Sequence, residues 1–269
     1  INARALPDTI MKQKWDRLQP LETYKASRSD RNSYEPGFGR FANGFPYRLG
    51  WLSRKQDNYD ILRYTPYADE LTVDFAKTFF KQENPGRDNH TDYVSISLTA
   101  TEGVADLFGP YSVEHEDAFI RTDKHLADLL DFLNERYSRD SLLVFVTAAH
   151  GAPVLPEYAT AAGGNAGYFT HKSALALLKA YLRVKYGDGN WVKYYTQQQV
   201  FLNQTLIEDS KVSLEEVRET AARFITQFSG VSHAVSADVI INQNYTSGIY
   251  QKFQHSFYPN RSGDVLLNL

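Results

Sequence analysis

Two apolar runs on either side of a long helical stretch constrain the fold more than any other feature of this sequence. Residues 93–98 read Tyr-Val-Ser-Ile-Ser-Leu and residues 142–146 read Leu-Leu-Val-Phe-Val. Each has the length of a strand, and the second is continuous, the pattern of a strand covered on both faces. Between them Ser112 is placed to cap a helix reaching about Tyr137, with Ala127, Leu130 and Leu133 at three-to-four spacing on one face. Strand, helix, strand predicts a parallel pair joined by a right-handed crossover. The expected fold class is therefore α/β, a sheet flanked by helices.

The rest of the chain is organised around that unit. Residues 1–66 are rich in Pro, Gly, Asn, Arg and aromatics, with one short helical candidate near residues 9–18. They read as an irregular insertion, a surface excursion packed on a main domain of residues 67–269. A helix is expected from Asp69 to about Lys81, followed by a turn at Asn84-Pro85-Gly86. Leu175, Leu178 and Leu182 mark a helix that stops at Gly187. Gln199 to Leu202 predicts a strand. Ser213 and Glu216 form a capping-box pattern for a helix to about Phe228, and residues 231–235 and 265–269 are further strand candidates. Ile1 opens the sequence without Met and Leu269 falls inside an apolar run, so a segment of a longer protein is expected.

Composition removes several classes of function. With 269 residues, 42% of them apolar and 23% charged, the chain can bury a core and is not disordered. Its 29 basic and 32 acidic residues leave a net charge of −3. No basic run gives a footprint for nucleic acid or an anionic membrane surface. The apolar stretches fall far short of the roughly 20 residues of a membrane span. The absence of Cys excludes disulfides and thiolate chemistry.

In open α/β sheets, ligands bind beyond the carboxyl ends of the strands, which directs attention to residues 99–106 and 147–151. There Glu102, Asp106 and His150 could form an oxygen/nitrogen cage for a divalent metal. The competing reading makes them solvated cap and loop residues. His115, His125 and His171 fall on expected helices or their ends, where an imidazole faces solvent. His90 and His233 have no partner at ligand spacing, and His255 reads as an ordinary polar residue beside a helix. Ser112 is a helix cap rather than a nucleophile. Gly163-Gly164-Asn165-Ala166-Gly167 lacks the Lys-Ser/Thr of a phosphate loop.

The segment Thr101-Glu102-Gly103-Val104-Ala105-Asp106-Leu107-Phe108-Gly109-Pro110-Tyr111-Ser112, with Glu114, Asp117, Arg121, Asp123, Leu126 and Ala127 behind it, resembles the T-D-x-x-G-H-x-x-G-P-x-S…E…D…R-x-D-x-x-L-A stretch of bacterial alkaline phosphatases. These belong to the superfamily branch that includes type I phosphodiesterases and nucleotide pyrophosphatases. Thr147-Ala148-Ala149-His150-Gly151 is similar to that family's T-A-D-H-G. Phe257-Tyr258-Pro259-Asn260-Arg261-Ser262-Gly263-Asp264-Val265 resembles its F-x-P-x-R-S-G-D-V, and Thr65-Pro66-Tyr67 its T-P-(F/Y)-G. The likeness spans nearly the whole chain.

The resemblance implies an alkaline-phosphatase-like fold and hydrolysis of phosphate mono- or diesters by paired divalent cations, usually zinc, in an exported or periplasmic enzyme. Carried over position by position, the family's first ligand Asp becomes Glu102, its first ligand His becomes Asp106, its second ligand Asp becomes Ala149, and only His150 is unchanged. Ala149 has no donor atom, and Asp106 replaces a nitrogen with an anionic oxygen that suits magnesium or calcium better than zinc. The family's Thr or Ser nucleophile, its Lys/Arg phosphate pair and two further ligands have no counterparts in the sequence, so no catalytic residue is assigned. The expected function is a phosphoesterase-like domain, impaired or inactive as a hydrolase, with no ion or a single weakly held divalent cation. Two alternatives stand beside it: an active magnesium or manganese hydrolase completed by flanking sequence, and a non-catalytic binding domain. The sequence leaves the oligomeric state open and offers as small-molecule partner only a phosphate ester.

Overall fold

The computed structural model describes residues 4–39, 43–54 and 58–269; Ile1 and parts of the expected 1–66 insertion lie outside them. The chain divides into two compact units, residues 1–158 and 159–269.

In the first unit, helix α1 (Leu6–Met11) leads to strand β1 (Lys14–Trp15), which pairs antiparallel with β2 (Tyr47–Arg48) just before α2 (Leu49–Leu52). A 3-10 helix (Asn58–Tyr64) precedes α3 (Tyr67–Glu83), α4 (Ala100–Phe108) and α5 (Val113–Arg136), and α6 (Pro156–Ala161) runs across the boundary between units. The sequence predicts α3, α5 and the Ser112 cap, whose Oγ accepts from the His115 N–H at 3.1 Å. The helix expected over residues 9–18 is instead α1, a turn and β1.

The described part of the first 66 residues is not only a surface excursion, because it contributes to the core. Trp15, Phe45, Tyr47, Leu49, Leu52 and Ile61 are buried with Val104, Phe108 and Val113 in one cluster. Trp15 meets Phe45 edge-on at 5.2 Å and Phe108 at 5.9 Å between ring centres. Aromatic rings joined through such contacts supply the burial that a segment lacking long elements cannot obtain by periodicity.

A second cluster joins Val73, Ala76 and Phe80 of α3 to Leu129 and Leu133 of α5. The inward stripe of α5 is therefore rotated from the one expected: Leu133 is buried, Leu130 half-buried and Ala127 exposed. Ile96, Leu98 and Leu142 pack against this cluster.

The apolar runs that led the sequence reading are not strands here. Residues 93–98 and 142–146 have no regular secondary structure. Among the described residues no backbone hydrogen bond pairs them with each other or with any other segment. Leu143 is 87% exposed, Phe145 67% and Val146 71%. A strand exists only against another backbone, and no described segment is hydrogen-bonded to either run as a strand partner. The expected parallel pair is absent for that reason; every pairing among the described residues is antiparallel.

The second unit contains a sheet of β3 (Val192–Thr196), β4 (Gln199–Leu202), β5 (His233–Ser236) and β6 (Val265–Asn268), in the order β3-β4-β6-β5. Helices α7 (His171–Tyr186) and α9 (Leu214–Ile225) cover it through Leu178, Leu182, Val217 and Ile225, packed on Val192, Val200, Val265 and Leu267. Leu266 faces the other way, into a cluster with Val235, Ile240 of α10 (Ala237–Asn242) and Phe253 of α11 (Gly248–Ser256). Helix α8 (Gln204–Asp209) completes the unit. The Ser213 hydroxyl accepts from the Glu216 N–H as the capping box predicts, although α9 stops at Ile225 rather than near Phe228. No helix among the described residues is long and apolar enough to cross a membrane.

Candidate functional site

Helix α4 carries the acidic pair, and buried polar contacts hold it in place. Asp69, 1% exposed near the start of α3, accepts from the N–H groups of Thr99 and Ala100 at 2.8 and 3.0 Å. Its second oxygen accepts from the Thr122 hydroxyl of α5 at 3.1 Å. One carboxylate thus satisfies two of the free donors at the start of α4 and ties three helices together. At Gly103 an added Cβ would stand 2.0 Å from the Arg63 carbonyl oxygen. Only glycine allows α4 to approach the preceding 3-10 helix this closely.

With Ala100, Val104, Ala105 and Phe108 facing inward, Glu102 and Asp106 fall one turn apart on the exposed side of α4. Burial of its surroundings raises the Asp106 carboxyl above the usual range, as does the negative charge of Glu102; His150 and Arg63 pull it back. His150, at the end of the bare 142–146 run, is therefore within electrostatic reach of the pair. It is exposed, and its Nδ1 lies 3.0 Å from the Gly151 carbonyl oxygen. The charges of Glu102 and His150 both act on Asp106, yet among the described residues no three His, Asp or Glu side chains converge closely enough to hold a metal ion. Ala149 beside them offers no donor. These residues do not fit a pair of zinc ions, which would need about three or four ligands each.

The remaining motif residues act in the framework. Asp117 of α5, fully buried, accepts from Trp15 Nε1 (2.9 Å), the Leu18 N–H (2.8 Å), the Tyr24 hydroxyl (2.7 Å) and Arg121 Nε (2.7 Å). That one carboxylate fixes the course of residues 15–24. Desolvation and the bond to Asp117 raise the Tyr24 hydroxyl to about 12. Glu114 accepts from the Tyr47 hydroxyl at 2.5 Å and Glu35 from the Tyr158 hydroxyl at 2.8 Å. The other oxygen of each is buried without a partner, and burial pushes Glu114 up to about 8 and Glu35 to about 7. In the second unit, Asp264 accepts from the Leu202 N–H (2.7 Å), Gln204 Nε2 (2.9 Å) and Arg218 Nε (2.8 Å).

Sequence reasoning did not assign roles to Asp69, Asp117, Glu114, Glu35 or Asp264. A legible signal existed for Asp117: it lies one helical turn after Val113, on the apolar side of α5, where a carboxylate must be paired. Nor is His115 solvent-facing as expected. It is buried, its Nδ1 lies 3.0 Å from the Pro110 carbonyl, and desolvation lowers its pKa. Burial lowers His125 too.

A family match over nearly the whole chain defines the class of protein. The chain belongs to the type I phosphodiesterase / nucleotide pyrophosphatase family, whose model matches residues 9–268, within the alkaline phosphatase superfamily. It is 31% identical over 271 residues to a calcium-transporting ATPase of Myroides odoratus, covering 100% of this chain and 49% of that protein. It is 29% identical to alkaline phosphatase PhoV of Synechococcus elongatus, over 100% of this chain and 48% of the relative. The crystal structure of alkaline phosphatase PafA matches 99% of this chain with 51% of its own, at 27% identity and a TM-score of 0.83. The chain thus spans about half the length of these relatives.

Proposed function

We propose that this chain is part of a phosphate-ester hydrolase fold whose paired-metal pocket is depleted at Glu102, Asp106 and Ala149 and keeps only His150 unchanged, leaving the chain by itself impaired or inactive as a hydrolase. The observation that carries the reading is the juxtaposition of exposed Glu102 and Asp106 with His150, beside an Ala149 that has no donor. Two carboxylates and one imidazole are too few ligands for two zinc ions. They suffice for one weakly held divalent cation only if the ion draws them closer together than they lie in the free chain. The family relationship supports a phosphate mono- or diester as the ligand class, and the resemblance supports an exported or periplasmic location.

The test is calorimetric titration of the protein with zinc, magnesium and manganese, together with turnover of p-nitrophenyl phosphate and its diester. At most one weakly bound ion per chain, with turnover at the level of buffer, is expected. Two tightly bound zinc ions with sustained turnover would overturn the reading.

Asp106 also favours a second reading. An anionic oxygen where the family pattern has an imidazole suits magnesium or manganese chemistry. In that case, with flanking sequence completing the site, either ion produces hydrolysis and Asp106→Ala abolishes it, whereas silence of that longer form with both ions excludes it.

A further inference from the structure

Residues 31–39 form neither helix nor strand, yet Glu35 among them is 3% exposed. Few bonds hold this strap down. Its Gly37 N–H donates to the carbonyl of Leu107, in the last turn of α4, at 3.2 Å. Asn32 Nδ2 donates to the Tyr158 hydroxyl of α6, which donates in turn to Glu35 Oε1, both at 2.8 Å. Phe38 rests on Tyr47 and Phe108 at 5.4 and 5.3 Å between ring centres. Arg31 at φ 61° and Gly39 at φ 105° bracket the strap in left-handed backbone, and such end positions are where a short segment absorbs a swing.

Glu35 engages one oxygen in that bond. Its other oxygen, like Glu114 Oε2 of α5, is buried with no hydrogen-bond partner among the described residues. A protonated carboxyl tolerates this because it carries no net charge; an ionised one loses its hydration without replacement. The surrounding charges sharpen the contrast. Asp30 disfavours the ionised form of both acids, and the charge of Glu35 reaches Glu114 and the Tyr47 hydroxyl of β2. Arg17 lies 3.5 Å from Asp30. The exposed Arg28 guanidinium, 4.3 Å from the Tyr158 ring centre, favours ionised Glu35. Burial raises the Tyr47 and Tyr158 hydroxyls, which remain donors throughout.

We propose that residues 31–39 are a proton-controlled strap: while Glu35 and Glu114 hold their protons it lies closed on Tyr158 and the end of α4, and loss of those protons to solvent swings it outward about Arg31 and Gly39, carrying the Glu35 carboxylate into water. Glu114 stays in α5, where its charge adds to the repulsion. The sign follows from the buried state. Glu35 is pushed up to about 7 when closed, against an ordinary 4.5 once exposed, so closure is fully present below about pH 4.5 and is lost as pH rises through 7. Between about pH 6 and about pH 9 this one group multiplies the opening constant about tenfold. Glu114, pushed up to about 8, ionises in the same interval. Contacts of Phe38 oppose the swing, and the Gly37 N–H reports it, because its acceptor Leu107 stays in α4.

The experiment is pulsed amide hydrogen exchange of the chain at about pH 6 and about pH 9, each rate divided by that of an unstructured peptide at the same pH. Protection of the Gly37 amide should fall about tenfold or more across that interval. At both values it should stay at least tenfold below that of mid-helix amides of α5, with the circular dichroism unchanged, because the opening is local. Glu35→Gln, which cannot ionise, should remove most of the pH dependence at Gly37. Infrared spectra of the unsubstituted chain give a second readout that needs no variant: a carboxylic-acid carbonyl band present at the lower pH should vanish with the same midpoint as the change in exchange. Unchanged protection of Gly37, protection equal to that of α5, a pH dependence that survives in a folded Glu35→Gln chain, or no carboxylic-acid band at the lower pH would each overturn the proposal.

Discussion

Strand β6 and residues 142–146 are the same kind of sequence in opposite circumstances. Val265, Leu266 and Leu267 are at most 3% exposed, sandwiched between two apolar clusters and hydrogen-bonded to β4 and β5. Leu143, Val144, Phe145 and Val146 are 45% to 87% exposed and unpaired among the described residues. Both runs are continuous and apolar, and neither alternates with polar residues. An apolar run therefore specifies a buried strand only jointly with the backbones that flank it. The first unit holds the helical layer that such a strand would cover; the second holds both layers.

The contrast can be broken most forcefully at Asp264, which binds Arg218 and the Leu202 N–H beside the four-stranded sheet. Asp264→Ala leaves the Leu202 N–H without its partner and Arg218 with Asp238 alone, and should cost about 3–5 kcal/mol in urea unfolding of the second unit. Leu182→Ala, at a fully buried position against the same sheet, should cost about 2–5 kcal/mol.

The first unit should differ in its response to pH. Glu114 and Glu35 titrate near 8 and 7 in the fold, against an ordinary value of 4.5, because burial disfavours their charged forms. The folded state therefore holds protons that the unfolded chain has released. The contribution of these groups is fully present below about pH 4.5 and is lost as pH rises through 7 and 8. Denaturation of the first unit between pH 5 and 8 should reveal a decline of more than about 1 kcal/mol, flattened by Glu114→Gln.

Asp69→Ala removes the cap of α4 and should cost about 1 kcal/mol or somewhat more in thermal unfolding of that unit. Smallest of all, Leu143→Ala in the bare run should change stability by less than about 0.5 kcal/mol. A loss comparable to that of Leu182→Ala would mean that Leu143 is buried in the free chain.

Local signals were the legible part of the fold. The Ser112 and Ser213 caps, the Leu178 and Leu182 stripe and the β4 and β6 strands depend on residues within a turn or two of one another, and each forms close to where the sequence places it. Pairing was not legible, because a run such as 142–146 carries no mark of whether its neighbours are present. Nor was the core contributed by Trp15, Phe45 and Tyr47, since an aromatic cluster assembled from turns has no period to detect. At the candidate site, Glu102, Asp106 and His150 were found by motif, and their proximity is reflected in the Asp106 carboxyl. The buried acids that hold the scaffold escaped notice, because their partners lie up to 123 residues away, as Tyr158 does from Glu35.

Native-state hydrogen exchange on the free chain sets the two runs against each other in one measurement. If partner backbones decide the matter, amides of residues 265–268 exchange only with unfolding of their unit, while those of 93–98 and 142–146 exchange at nearly the rate of an unstructured peptide. Equal, strong protection of both sets would contradict the view that the first unit lacks the strands its apolar runs require.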